Sequence, residues 1–405
     1  MWNSIILSRF KLDMLSFCSK VFSMISLLIL KNRKLVLFGA FRGKHFGDNS
    51  GSLYLYCIKY HKEEYRCIWL TDSLDVISYI RGIGGEAYLK KSIAGIWLSL
   101  RAAIIVTTHH TNDVLLFNPS LQRPKVLYLY HGCPNRKGHT TSKRSVFSND
   151  PEQLKLRNSI TCMIATSVWV SDRQRMLIPV LPSQVSITGY PRTDLLFEPD
   201  KSVNNYLQKK YDLGDYTVLY ATTWRKWESA RYFPLEGFDL NVLSDYLKER
   251  NIKIILRPHP ADLKRQKNNL LWKSLQEMND TIKVVTQEEL ADVQPLLHLS
   301  NCLITDYSSV YHDFLLLNRP IIFLPYDINE YEQRIGGFNM DYERFSPGPK
   351  PKTQAEFLGC LEMFMNQEDP FLEKRLKIRD IIHDHKDGQS CRRVYELIKE
   401  MTTPV

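Results

Sequence analysis

The sequence predicts an α/β protein built from two doubly wound parallel sheets that face each other across a cleft. Three observations point there. Short apolar runs of strand length alternate with helix-length segments, the pattern of parallel sheets whose crossover helices cover both faces. A polar stretch without a strand, 198–214 (EPDKSVNNYLQKKYDLG), divides those runs into two series. Several polar motifs fall directly after the runs, and ligands of such sheets bind outside the carboxyl ends of the strands.

The first series holds six runs: 34–38 (KLVLF), 66–70 (RCIWL), 103–107 (AIIVT), 126–130 (VLYLY), 163–166 (MIAT) and 185–188 (VSIT). The second holds 217–220 (TVLY), 252–256 (IKIIL), 282–285 (IKVV), 301–304 (NCLI) and 320–323 (PIIF). All are rich in the β-branched and aromatic residues that suit a pleated, buried surface. The helical, charged stretch from residue 371 onward is expected to pack across the junction of the two units. The division is therefore a segment 1–33, a first α/β domain 34–200 and a second α/β domain 201–405.

With 405 residues, 44% of them hydrophobic and 24% charged, each unit can bury its own core. Disordered, collagenous and small disulfide-stapled classes are excluded. The net charge of +10 is uneven. Residues 1–34 carry a net +5, residues 123–147 a net +6 with no acid, and the remainder is close to neutral. A uniformly basic nucleic-acid binder does not look like this; two local anion-attracting regions do. The eight cysteines include no Cys-x-x-Cys, so neither a zinc site nor a disulfide framework is indicated, and a reducing, cytoplasmic compartment fits.

The apolar run 21–30 is too short to cross a hydrocarbon core about 30 Å thick. Trp2, Ile5, Ile6, Phe10, Leu15, Phe17 and Phe22 alternate with basic residues, which suits an amphipathic helix lying on an anionic membrane surface. The alternative is a first helix packed on the sheet, since every amphipathic surface helix shows this pattern.

Three strand ends carry candidate chemistry. VLYLY runs into His131, Gly132, Cys133, Pro134, Asn135, Arg136 and Lys137. A histidine on a turn fixed by Gly and Pro, with two cations after it, is suited to deprotonating a hydroxyl beside a phosphate, although a structural histidine capping the strand has the same local sequence. IKIIL ends in Arg257, Pro258, His259 and Pro260, where two prolines hold an imidazole beside a guanidinium. After 301–304 come Thr305, Asp306, Tyr307, Ser308 and Ser309, more hydroxyl and carboxyl groups than one helix cap requires. Thr223 and Arg225 follow 217–220, and 189–194 (GYPRTD) follows the last strand of the first series with Arg192 in it. No Gly-x-Gly-x-x-Gly or Walker spacing is present, so nicotinamide and ATP chemistry lose support. No Asp-x-Asp occurs either, which indicates no metal site, gives charge on a leaving diphosphate to Arg, Lys, His and backbone N–H groups, and leaves a divalent cation such as Mg open.

Taken in order, these residues resemble the CDP-glycerol glycerophosphotransferase family of teichoic-acid and capsule enzymes. An early Gly-Lys…Asp-Asn…Tyr pattern is similar to Gly43, Lys44, Asp48, Asn49 and Tyr54; a Trp-His-Gly-Thr-Pro segment to Tyr130, His131, Gly132, Cys133 and Pro134; and Gly-Tyr-Pro-Arg-Asn-Asp to 189–194. Tyr-Ala-Pro-Thr-Trp-Arg is similar to 220–225 (YATTWR), and the run 303–349 reproduces the Asp-Tyr-Ser-Ser, the following Asp-Phe and the closing Pro-Gly-Pro. Tyr130, Cys133, Asn135 and Thr222 depart from the family pattern, at acceptor or donor loops.

The resemblance implies a GT-B-like fold of two Rossmann-type domains, with the acceptor on the first and CDP on the second. The implied reaction moves a polyol phosphate, glycerol phosphate foremost and ribitol phosphate as the variant, from a CDP-activated donor to a hydroxyl of a lipid-linked or oligosaccharide acceptor, releasing CMP. The implied roles are general base for His131; donor phosphate binding for His259, Arg225, Arg257, Thr223, Ser308 and Ser309, with Asp306 shaping that loop; and acceptor or anion contacts for Arg136, Lys137 and Arg192. The expected location is the inner face of the cell membrane. Two competing readings are a GT-B glycosyltransferase using a nucleotide sugar and a noncatalytic membrane-surface module.

Overall fold

The computed structural model describes residues 24–116, 124–137, 151–266, 269–278 and 280–403. The first sheet has seven strands, β1 (Asn32–Gly39), β2 (Arg66–Thr71), β3 (Glu86–Leu89), β4 (Ala102–Thr107), β5 (Lys125–Tyr128), β6 (Cys162–Ala165) and β7 (Val185–Ile187), in the order β3-β2-β1-β4-β5-β6-β7. The second has five, β8 (Tyr216–Ala221), β9 (Ile252–Arg257), β10 (Ile282–Val284), β11 (Cys302–Thr305) and β12 (Ile321–Phe323), in the order β10-β9-β8-β11-β12. Every pairing is parallel. In both sheets the order reverses beside the first strand, between β1 and β4 and between β8 and β11. That opens a crevice for ligands above each switch point.

Alternation along the strands builds two apolar layers per sheet. Val36 and Phe38 of β1 face one way, packing with Trp69 and Ile104, while Leu35 and Leu37 face the other with Ile68, Leu70 and Ile105. In β8, Val218 and Tyr220 join one core and Leu219 and Ala221 the other. Fully burying a side chain of this size is worth about 1.5–3 kcal/mol. The Leu219 core also contains Cys133, Val170 and Leu196, so the two sheets share apolar contact at their junction.

The chain ends by crossing that junction. Helix Leu372–Ile382 places Ile378 and Ile382 in the core of the second sheet. Helix Ser390–Thr402 returns to the first, where Cys391, Val394, Tyr395 and Ile398 pack with Val36 and Phe38. It does so although it falls in the sequence span 201–405.

Two elements differ from the sequence expectation. β5 stops at Tyr128 rather than Tyr130, because Tyr130 takes a φ of 56° that no strand accommodates. β3 was not anticipated, being a four-residue edge strand with only Ala87 buried. The amphipathic segment expected over 1–33 lies outside the described residues up to position 23, including Trp2, Ile5, Ile6, Phe10, Leu15, Phe17 and Phe22, as do Arg123, Lys143 and Arg144 of the second basic stretch. Beyond it, Met24, Leu27, Leu28 and Leu30 are exposed. Among the described residues no helix is long and apolar enough to cross a membrane.

Candidate active site

The strand ends of the two sheets enclose a cleft of about 240 Å³. Phe41, Asp48, His131 and Arg192 line it from the first sheet's side, and Thr222, Arg257, His259, Ser308, Ser309 and Asp313 from the second's.

His131 follows β5 on a turn whose geometry the sequence dictates. Tyr130 at φ 56° and Gly132 at φ 147° reverse the chain, and a Cβ on Gly132 would stand 3.1 Å from Ser309 Oγ. The His131 ring lies between Tyr130 (centroids 4.8 Å apart, planes at 21°) and His109 (4.9 Å, 18°). Among the described residues no hydrogen bond reaches its ring nitrogens. Although the ring opens to the cleft, loss of hydration between the two walls, with His109 beside it, lowers its pKa to about 4. At neutral pH it is an uncharged base.

On the facing wall His259 stacks on Trp224, with ring centroids 5.6 Å apart. Its Nδ1 accepts the Ala261 N–H at 3.1 Å, which assigns the proton of the neutral ring to Nε2. Desolvation, then the nearby Arg136 charge, lowers its pKa. Ser308 and Ser309 lead into helix Val310–Phe314, and Ser308 Oγ accepts the Val310 N–H at 3.4 Å. These hydroxyls and the imidazole N–H make a donor-rich surface opposite His131.

The arginines correct the sequence expectation. Arg225 is fully buried rather than open to the cleft: Nε and Nη2 grip Asp327 at 2.6 and 2.8 Å, and Nη1 donates to Asp306 at 3.0 Å. Thr223 is buried too, its backbone N–H donating to Asp306 at 2.8 Å. Asp306 thus joins the β8 and β11 loops. Arg192 lines the cleft, but Nε binds Asp313 at 2.9 Å and Nη1 binds both Asp48 at 2.8 Å and the His131 carbonyl at 2.9 Å. Burial works against its charge, yet Asp313 and Asp48 more than offset this and raise its pKa. It holds the base loop rather than offering a free anion contact. Arg257 reaches the carbonyls of Thr286 and Leu290, both at 2.5 Å, and orders loop 285–291 along the cleft. Desolvation lowers its pKa to about 10, so it keeps its charge, and no carboxylate touches it among the described residues.

Arg136 and Lys137 do not line the cleft, although Arg136 stands near enough to His259 to lower its pKa. Both are exposed, and among the described residues neither pairs with a carboxylate. Arg136 lies over the Tyr331 ring at 5.7 Å, and Lys137 lines a separate cavity with Arg173 and Asn339.

Sequence reasoning missed the partners of these groups. Asp313 and Asp327 lie 121 and 102 residues from the arginines they bind, and Asp292 crosses the cleft to accept the Asp48 N–H at 2.8 Å. His109 was missed as well, although its position after β4 matches that of His131 after β5 and was the signal that could have found it. Asp48 opens helix Asp48–Tyr60 with a φ of 57°, a strained value for a residue with a side chain. Among the described residues no cluster of three or more His, Cys, Asp or Glu side chains is placed to hold a metal ion.

A neutral imidazole on one parallel sheet, facing hydroxyl and imidazole donors on a second across a shared cleft, fits a two-domain transferase with a GT-B-like fold. Residues 21–400 match the family described as CDP-Glycerol:Poly(glycerophosphate) glycerophosphotransferase, and the chain belongs to it. It is 26% identical over 390 residues to the teichoic acid glycerol-phosphate transferase of Staphylococcus aureus, covering 91% of this chain and 94% of that protein. Against the teichoic acid poly(glycerol phosphate) polymerase of Bacillus spizizenii it is 27% identical over 416 residues, 97% and 99% of the two chains. A structure of the wall teichoic acid polymerase TagF soaked with CDPG has the same fold, with a TM-score of 0.73 at 22% identity over 92% of this chain and 89% of that one.

Proposed function

We propose that the protein transfers a polyol phosphate, glycerol phosphate first among them, from a CDP-activated donor to an acceptor hydroxyl in teichoic-acid-type polymer synthesis. Family membership and near full-length likeness to a glycerol-phosphate transferase and a polymerase support the reaction class. The observation that carries the assignment of parts is the pairing of His131 with His259, Ser308 and Ser309 across one cleft.

In this scheme the diphosphate lies against Ser308, Ser309 and the Nε2–H of His259, with the charge of Arg257 behind. His131 takes the proton of the acceptor hydroxyl, whose oxygen bonds to the β-phosphorus. The bond from that phosphorus to the bridging oxygen breaks, and CMP leaves with the electron pair. His259 Nε2–H and the serine hydroxyls are donors for the charge that develops on the departing phosphate. Arg225 and Arg192 shape the two walls from behind. A positioned base supplies about 10²- to 10⁴-fold.

Incubation with CDP-glycerol, CDP-ribitol and CMP-activated sugars, with and without a lipid-linked or glycan acceptor, tests the reading through CMP release. Acceptor-dependent release from a CDP-polyol is expected, falling by that factor in His131→Ala with donor binding retained. Release from nucleotide sugars alone overturns it in favour of a glycosyltransferase. The same reading places the enzyme on the inner face of the cell membrane, where such an acceptor is anchored. Exposed Met24, Leu27, Leu28 and Leu30 beside Lys31, Arg33 and Lys34 support this. Deleting residues 1–30 should then release the protein from anionic vesicles and lower turnover on lipid-linked acceptors only.

A further inference from the structure

We infer that His109 is a positioning residue for the transfer: its ring fixes the plane of the His131 ring and so the direction in which the base meets the acceptor hydroxyl. The inference rests on His131 being the base. Its support is geometric. His131 has no hydrogen bond to orient it among the described residues, so its ring is held by faces alone, Tyr130 on one side and His109 on the other, each within about 20° of parallel. Phe41 closes the stack behind His109 with centroids 4.8 Å apart.

His109 is held at its edges. Its Nε2 stands 3.9 Å from Asp48 Oδ2 and its Nδ1 3.8 Å from Asp113 Oδ2, while its own backbone N–H donates to Asp113 at 2.7 Å. Nδ1 is buried and has no hydrogen-bond partner. Other charged groups meet the pair from every side: Arg192 through Asp48 and the His131 carbonyl, Asp292 through the Asp48 N–H, and Asp313 through Arg192.

The test compares His109→Phe, which keeps an aromatic face against His131, with His109→Ala, which removes it. Acceptor-dependent CMP release is measured at pH 8, with donor KM and thermal stability recorded for each variant. His109→Phe should retain most of kcat. His109→Ala should lose kcat on the order of 10- to 100-fold, the scale of a misplaced reacting group, with donor KM within about twofold. Equal losses in the two variants, or losses that follow their melting temperatures, overturn the inference. His131→Ala in the same assay separates the two readings: if it keeps near-normal turnover, the base assignment itself is wrong whatever His109 does.

Discussion

Arg225 and Arg136 carry the same charge and were read from the sequence as anion contacts, but their surroundings give them opposite consequences. Arg225 has no exposed surface and two carboxylates on its guanidinium. Removing one partner of a buried ion pair leaves the others uncompensated, at about 3–5 kcal/mol. Arg225→Ala should therefore lower the melting temperature steeply, and Asp327→Ala should do the same although it touches no cleft atom. Arg136→Ala should alter stability by less than about 0.5 kcal/mol, as exposed substitutions do, and raise KM in the transfer assay. If Arg225→Ala melted like the wild type while binding CDP poorly, its burial would have been misjudged. The base makes a second prediction at this scale. With its pKa lowered to about 4, free His131 stays neutral well below the ordinary histidine range, so the acid limb of kcat/KM should lie below pH 6.5. A bound diphosphate favours the imidazolium, so the limb of kcat should lie at higher pH than that of kcat/KM. Coincident limbs at pH 6.5 would remove the desolvated base.

Eleven of the twelve described strands were legible, because each carries a short run of β-branched or other apolar residues, even at the edges β7, β10 and β12. β3 (EAYL) carries no such run: Glu86 binds Arg66 at the surface and only Ala87 is buried. The site divides in the same way. The loops bearing His131, His259 and the serines follow strands and are read from position alone. Whether an arginine in those loops is free or paired depends on carboxylates a hundred residues distant, which no local pattern reveals. The Pro-Gly-Pro at 347–349 shows how a motif that seems functional can be structural. Phe323 N–H donates to the Pro349 carbonyl at 2.9 Å, so the segment is held against the edge strand β12. A Cβ on Gly348 would sit 1.8 Å from the Ile321 carbonyl oxygen, an approach only backbone movement could relieve. Gly348→Ala should destabilise by about 1–3 kcal/mol or more through overpacking, with KM and kcat little changed in the fraction that folds. A melting temperature equal to that of the parent would contradict this packing.

At the scale of the molecule, the last crossing of the chain makes the union of the two units sensitive to acid. His383, after helix Leu372–Ile382, donates Nε2–H to the His312 carbonyl at 2.7 Å, and His312 Nδ1 donates to the Ser309 carbonyl at 3.2 Å. These rings connect the C-terminal crossover to the serine loop. Both are buried; desolvation lowers the His312 pKa to about 3 and lowers that of His383 as well. A histidine held neutral in the fold binds a proton in the unfolded chain first, so its contribution is complete above the unfolded pKa of about 6.5 and is lost as pH falls towards the folded value. Asp292 works in the opposite sense, because burial raises its pKa to about 6 and the fold then holds a proton that the unfolded chain has released. The two buried histidines make stability rise with pH up to about 6.5, and Asp292 moderates that rise only below about 6. Melting temperatures should consequently fall between pH 7 and pH 5. His312→Asn keeps a polar side chain of similar reach but cannot take up a proton, so it should flatten that fall while lowering the melting temperature at pH 7. An equally steep fall in His312→Asn and the parent would assign the acid sensitivity to groups away from this crossing.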